Sequence, residues 1–125
     1  MSRLRDERGS VSILVAAMAG VVVVLALGAA DVARVFAAAS RAQTAADAAA
    51  LAAAQELALP GGVISPSEIA ASYAARNGAV LGVCACEPGS FAADVEVAVG
   101  TGALFLAPDD LEVVASARAV VDLPS

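Results

Sequence analysis

The chain has 125 residues, 60% of them hydrophobic, and a formal net charge of −6. This length supports one compact unit plus an additional segment, and the hydrophobic content exceeds that of a typical soluble domain. The acidic excess argues against nucleic-acid binding, because few basic side chains are available to neutralise phosphates.

An uncharged apolar run extends from Gly9 to Ala30 and ends at Asp31. At a rise of 1.5 Å per residue the run would be about 33 Å long, which matches the hydrocarbon thickness of a bilayer. Ten of its residues are Val, Leu or Ile, and no charge opposes their transfer into lipid. The run therefore predicts a single transmembrane helix over 9–30, with the membrane as its partner.

Arginines flank this run unequally, with three before it and two soon after it. They are Arg3, Arg5, Arg8, Arg34 and Arg41. Because the Lys/Arg bias near the membrane sets orientation, we expect 1–8 to be a cytoplasmic basic segment. The C-terminal part would then lie outside the cytoplasm, in a single-pass protein of the cell membrane.

A secretory signal peptide is the alternative interpretation of the same run. The small residues before Asp31 are acceptable at a cleavage site between Ala30 and Asp31, which would release a secreted protein. The run is longer than a typical signal-peptide h-region, so we favour a retained anchor.

The segment from Asp31 to Leu59 predicts a continuation of the same helix. It has no glycine or proline, and 14 of its 29 residues are alanine, the best helix former. Apolar residues recur at three- and four-residue steps, which indicates one stripe suited to close helix packing. The stripe comprises Val32, Val35, Phe36, Ala39, Ala42, Ala46, Ala49, Ala50, Ala53 and Leu57.

A second, shorter helix is expected after the Pro60-Gly61-Gly62 break. Ser65 is a good N-cap, proline follows it, and Glu68 can complete a capping box. Asn77-Gly78 should end this helix with a left-handed residue.

Three strands are predicted after this helix, over 79–85, 93–99 and 111–121. Apolar residues alternate with polar ones in the last two, as in half-buried strands. The expected fold class is α+β, with a long helix, a short helix and a small antiparallel sheet in an extracytoplasmic domain over 60–125. Glu96 and Arg118 are expected to be cross-strand partners.

Several segments together carry a resemblance to a known family. They are DERGS at 6–10, the apolar run, the Asp31–Arg34 pair, and SRAQTAADAAALAAA at 40–54, which includes Gln43 and Asp47. This order resembles the TadE/TadG-like proteins of Flp (Tad) pilus assembly and secretion. The short chain, cysteine pair and strand-rich tail are most similar to small TadE-like actinobacterial members encoded near a helicase and secretion genes.

The resemblance implies a pilin-like fold and a pseudopilin-like or assembly-associated membrane protein, without enzymatic activity or cofactor. Its expected partners are other Tad/Flp-like assembly proteins or further copies of itself. Processed members of the group are cleaved after a glycine, and Gly9–Ser10 fits that position. They also carry Glu five residues into the mature chain, where this sequence has Leu14. This departure favours an unprocessed anchor.

Cys84 and Cys86 are the chain's two cysteines. Outside the cytoplasm they can form a disulfide, although this needs a bend at Ala85, because the Cβ atoms of residues i and i+2 in a regular strand are too far apart. Free or intermolecular thiols are the second interpretation, and redox chemistry is the third. Two thiolates without any histidine make a poor zinc site, and no metal site is expected.

Other candidates have weaker patterns. A ladder of small residues could let another helix approach within the membrane, but membrane helices are generally rich in such residues. It comprises Ser12, Ala16, Gly20 and Gly28. Asp47 is expected to be solvated, with a partner contact as the alternative, and Asp109, Asp110 and Glu112 are expected to be turn residues rather than a cation site. No spacing predicts a catalytic residue.

Three functions remain open from the sequence. The first is a non-enzymatic, membrane-anchored structural or accessory component of a Tad/Flp-type pilus or secretion apparatus. The second is a secreted protein released near Ala30. The third is an envelope thiol-redox protein that uses Cys84 and Cys86.

Overall fold

A computed structural model of the protein describes residues 3–107 and 111–122, with side chains from residue 9 onward. The expected turn at 108–110 and the first two residues of the 1–8 segment lie outside the described residues. The described residues form five elements in order: α1 Arg3–Ala58, α2 Pro66–Arg76, β1 Val80–Ala85, β2 Ala92–Gly100 and β3 Glu112–Val120. The predicted α+β architecture is confirmed, although α1 begins six residues before the apolar run.

Local sequence explains the ends of α2. Ser65 caps its first turn and Glu68 completes the capping box, so backbone N–H groups without helical partners are satisfied. At the other end Gly78 has φ 73°, and the N–H of Ala79 donates to the carbonyl of Ala74 at 3.0 Å. These are the features of a Schellman motif.

The three strands form an antiparallel meander in the order β1-β2-β3. The register between β1 and β2 shifts between Leu81 and Val83, which is a bulge at Gly82. Between β2 and β3, Arg118 is opposite Asp94 and Glu96 is opposite Ser116. The expected Glu96–Arg118 pair is therefore wrong, because the actual register is shifted by two residues.

The core lies between the C-terminal half of α1, the helix α2 and one face of the sheet. Its members are mostly alanines of α1 and valines of β2, and Val97 is the largest side chain that is fully buried. Because alanine has only a methyl side chain, the helix backbone can approach the sheet closely, as the alanine stripe predicts. The buried alanines of α1 are Ala38, Ala42, Ala45, Ala46, Ala49, Ala50, Ala52, Ala53 and Ala54.

The domain covers only part of the predicted stripe. Val32 and Phe36 are 55% and 71% exposed, whereas Ala42 and every later alanine of the stripe are buried. Val32, Val35 and Phe36 share the stripe but are not part of the core, because the sheet and α2 pack farther along the helix. This leaves an exposed apolar helix surface that continues beyond residue 30.

Candidate functional site at the helix junction

The N-terminal half of α1 is apolar and projects away from the domain. Its Val, Leu, Ile and Met side chains from Val11 to Leu25 are 55–74% exposed. Over residues 9–58 the helix is long and apolar enough to cross a bilayer, and its most apolar window has no buried part. In water this exposed surface would be unfavourable, whereas in hydrocarbon it is solvated. Length, composition and exposure therefore indicate membrane anchoring.

Asp31 ends the apolar run and is bound by a distant loop. Its Oδ1 accepts a hydrogen bond from the backbone N–H of Phe105 at 2.8 Å, and its Oδ2 accepts one from the N–H of Leu106 at 2.7 Å. The residue is only 7% exposed. Two charge-assisted bonds from adjacent amides satisfy the carboxylate and fix the loop against the helix.

The same bonds change the acidity of Asp31. The pKa of the Asp31 carboxyl is lowered below its ordinary value of 3.8, and the hydrogen bond from the N–H of Phe105 is the largest cause. Burial acts in the opposite direction and raises this pKa. The N–H of Leu106 and the positive charge of Arg34 also lower the pKa. Because hydrogen bonds to the charged form stabilise that form, the side chain is a carboxylate at neutral pH.

Arg34 binds the same loop from one turn farther along α1. Its Nη1 donates to the backbone carbonyl of Ala103, and its guanidinium carbon lies 4.6 Å from the centre of the Phe105 ring. This is the geometry of a cation–π contact. Asp31 and Arg34 thus bind the N–H and C=O groups of one short backbone segment.

Gly28 brings this loop to the end of the apolar run. A Cβ atom at Gly28 would lie 3.5 Å from Cδ1 of Leu106, an ordinary contact distance, so the loop packs closely against this part of the helix. We call the helix residues Gly28, Asp31 and Arg34 together with the loop residues 103–106 the junction.

The family-like positions Gln43 and Asp47 lie on the exposed side of α1. Nε2 of Gln43 donates to Oδ1 of Asp47 at 3.0 Å, one helical turn away. Asp47 also borders a groove of about 540 Å³ between α1 and β3. Their exposure agrees with the expected solvated carboxylate, and the partner contact remains untested.

Cys84 and Cys86 are joined as a disulfide across a sequence separation of two. Their Cα atoms are 5.3 Å apart, closer than the roughly 6.6 Å of an extended strand, because the chain bends where β1 ends at Ala85. Cys86 is buried in the core and Cys84 packs against it. This short covalent link fixes the end of β1 to the turn that follows it.

The structure offers no candidate metal site among the side chains that it describes. Within 9–107 and 111–122, no group of three Cys, Asp or Glu side chains is arranged to hold a metal ion. Asp109 and Asp110 lie outside this range. Asp94 and Arg118 form a pair at 3.8 Å, and because both are well exposed their interaction contributes little.

Most of α1 matches a known protein family. Residues 9–56 match the Tad family model, which describes the TadE/G-like Flp pilus-assembly domain. The predicted resemblance is thereby confirmed over this segment. The TadE/G-like segment covers the exposed apolar half of α1, the helix residues of the junction, and nearly all of the alanine stripe. It includes neither α2 nor the sheet, and no curated protein or solved structure gave a significant match.

In the sequence, Asp31 and Arg34 stand out only as parts of the family pattern, and no motif marks Phe105 or Leu106. One signal was present in the sequence. The uncharged segment ALFLA at 103–107 follows Gly102, and such an apolar segment is unusual in a loop between strands. Its position beside Asp31 could only come from the tertiary structure.

Proposed function

We propose that this protein is a non-enzymatic, membrane-anchored accessory component of a Tad/Flp-type pilus or secretion apparatus, with a pseudopilin-like arrangement. One observation carries this proposal: the TadE/G-like segment at 9–56 coincides with a helix that is apolar and exposed in its first half. Its second half carries a small α+β domain on an alanine surface. The first half of α1 is therefore suited to insertion into the membrane, and the second half is suited to hold the domain outside it.

The proposed topology places 1–8 in the cytoplasm and 9–30 across the membrane, followed by the Ala-rich helix over 31–59 and the outer domain over 60–125. The arginine excess before the run supports this orientation. The Cys84–Cys86 disulfide also supports it, because disulfides persist in oxidising compartments outside the bacterial cytoplasm.

We propose a retained anchor rather than a cleaved leader. The helix α1 continues without interruption across Ala30–Asp31, and the Asp31 side chain is buried under the loop. Cleavage at this bond would also remove Gly28, against which Leu106 packs. Cleavage between Gly9 and Ser10 would leave the junction intact. Mapping of the mature N-terminus, described below, would distinguish it from cleavage after Ala30.

Association within the membrane would use the small-residue face around Gly20. Ser12 and Ala16 are exposed, and no atom lies within 4 Å of a Cβ placed at Gly20. Gly28 lies about 80° around the helix from Gly20 at 100° per residue and is in contact with Leu106 instead. The proposed partners are therefore other Tad/Flp-like proteins or a second copy that packs along Ser12, Ala16 and Gly20.

The decisive test combines terminus mapping with fractionation. The full chain carrying a C-terminal tag should be found in the membrane fraction with its original N-terminus, and the tag should be accessible from outside the cell. A mature start at Ser10 would support pilin-type processing of an anchored protein. A soluble protein that begins at Asp31 would establish the secreted alternative and overturn the proposal.

A matched pair of variants tests the anchor itself. Val21→Asp combined with Val24→Asp places two charges in the exposed apolar run, each costing about 2.5–3.5 kcal/mol at a membrane centre. We expect this variant to leave the membrane fraction. The control, Val32→Asp with Val35→Asp, adds the same charges beyond residue 30 and should remain there. Equal retention of both variants would contradict a span over 9–30.

A further inference from the structure

The loop between β2 and β3 has an unusual distribution of polar and apolar groups. Its backbone is bound by Asp31 and Arg34, whereas the side chains of Phe105 and Leu106 are each 55% exposed. Leu104, between them and the sheet, is 8% exposed. The loop is thus held in place by its main chain. Arg34 covers one side of Phe105 and the helix at Gly28 covers one side of Leu106, whereas the rest of each side chain is exposed.

The bonds to α1 lower the cost of placing such a loop in lipid, because they satisfy three of its backbone groups. A backbone N–H or C=O without a partner is costly at membrane depth, because lipid offers no replacement for water. The carboxylate of Asp31 accepts from two consecutive N–H groups, and the guanidinium of Arg34 donates to the carbonyl of Ala103. Both carboxylate oxygens of Asp31 and the Nη1 of Arg34 in turn have partners in the loop.

The loop also lies at the depth of the membrane boundary. Leu106 contacts α1 at Gly28, which is about 3 Å inside the end of the apolar run at 1.5 Å per residue. The headgroup zone beyond the hydrocarbon is only about 5–8 Å thick on each side. Phe36, 71% exposed, lies about 9 Å beyond Ala30 on the helix, just past this zone, whereas the loop contact at Gly28 lies within the boundary.

We infer that the segment 103–107 is a second membrane contact, in which Phe105 and Leu106 insert into the interface of the outer leaflet beside the transmembrane helix. This inference rests on the proposed membrane span of α1. The lipid surface is the occupant favoured by the structure, because the exposed side chains are continuous with the apolar run and no charge occurs between Gly102 and Pro108. A helix alone can rotate and tilt, whereas a helix with a lateral contact holds its domain in one orientation.

Tryptophan fluorescence can measure this depth directly, because the chain has no tryptophan. The Phe105→Trp variant would be reconstituted at full length in phosphatidylcholine–phosphatidylglycerol vesicles containing lipids brominated near the headgroup or near the chain end. Leu106→Trp is a second probe in case the first variant fails to fold. Val22→Trp, within the apolar run, reports independently on the membrane span.

Phe91→Trp is the matched control. Phe91 is 61% exposed, close to the exposure of Phe105, but it precedes β2 whereas Phe105 follows it, and this strand is about 27 Å long at 3.4 Å per residue. We expect blue-shifted emission and quenching by shallow bromine for Phe105→Trp, quenching by deep bromine for Val22→Trp, and neither effect for Phe91→Trp.

The other outcomes overturn the inference in separable ways. If Val22→Trp is quenched and both loop probes behave like Phe91→Trp, the loop stays in water while the span stands. Emission that is blue-shifted but not quenched by any lipid would show that protein, such as a second copy, covers the loop. If Val22→Trp is not quenched, the membrane span is wrong and the loop contact is wrong with it.

Discussion

The carboxylate of Asp31 accepts a hydrogen bond from the backbone N–H of Leu106, 75 residues later in the chain. This bond links the first residue after the apolar run to the tip of a loop between two strands. The small domain is therefore attached to α1 at two places, through the alanine core and through the junction.

Removing the charge of Asp31 should release the loop. Asp31→Asn keeps the size of the side chain, but its single carbonyl oxygen can accept from only one of the N–H groups of Phe105 and Leu106, and its amide nitrogen faces the other donor. The bond that remains is weaker, because charge-assisted bonds are about twice as strong as neutral ones. We expect amide exchange in 103–107 to become roughly tenfold faster, with little change in β2. Asp47→Asn, on an exposed turn of the same helix, is the control. Unchanged exchange in Asp31→Asn would show that the junction does not hold the loop.

The junction should weaken in acid. The pKa of Asp31 is lowered in the folded protein, chiefly by the N–H of Phe105, so its contribution to loop docking is complete above the unfolded value and is lost as pH falls through the folded value. We expect exchange at 103–107, corrected for intrinsic rates, to be constant near neutral pH and to accelerate below about pH 4. In Asp31→Asn this acceleration should be absent. If the unchanged protein and Asp31→Asn respond to acid identically, the acceleration comes from the titration of another group.

Enlarging a buried alanine should destabilise the domain. Ala49 is fully buried in the alanine core, where a larger side chain would force the helix and sheet apart, so Ala49→Leu should lower the free energy of unfolding by about 1–3 kcal/mol. Ala37→Leu, at an exposed position of the same helix, should change it by less than about 0.5 kcal/mol. Urea unfolding of both variants in detergent micelles, followed by circular dichroism, measures the difference. Equal stability would mean that the alanine surface is not closely packed.

The disulfide should stabilise the folded domain without taking part in the function. Replacing both Cys84 and Cys86 by serine should lower the free energy of unfolding by roughly 1–2 kcal/mol, because a short loop constrains the unfolded chain only slightly. Membrane insertion and pilus or secretion activity should persist. The oxidised protein should contain no thiol that reacts under mild conditions. Loss of activity with intact folding, or ready reduction and reoxidation, would instead favour the thiol-redox function.

Elements whose signals are local were predicted well from the sequence. The capping box at Ser65 and Glu68 and the left-handed Gly78 are confirmed, because each depends on neighbours within one helical turn. Strand alternation is likewise a property of consecutive residues, and all three strands are confirmed. The pairing of Arg118 was wrong, because register depends on how the β2–β3 connection folds, and no local pattern encodes that.

The sequence by itself determined an uncharged run long enough to cross a bilayer, an alanine surface on the helix beyond it, and the period-two strands that cover this surface. These follow from hydrophobicity and spacing along one chain segment. Only the tertiary structure decided where the sheet stops on α1, leaving Phe36 exposed, and that the loop at Phe105 returns to Asp31. Such contacts join residues far apart in sequence, and they depend on the summed geometry of strands and turns between them.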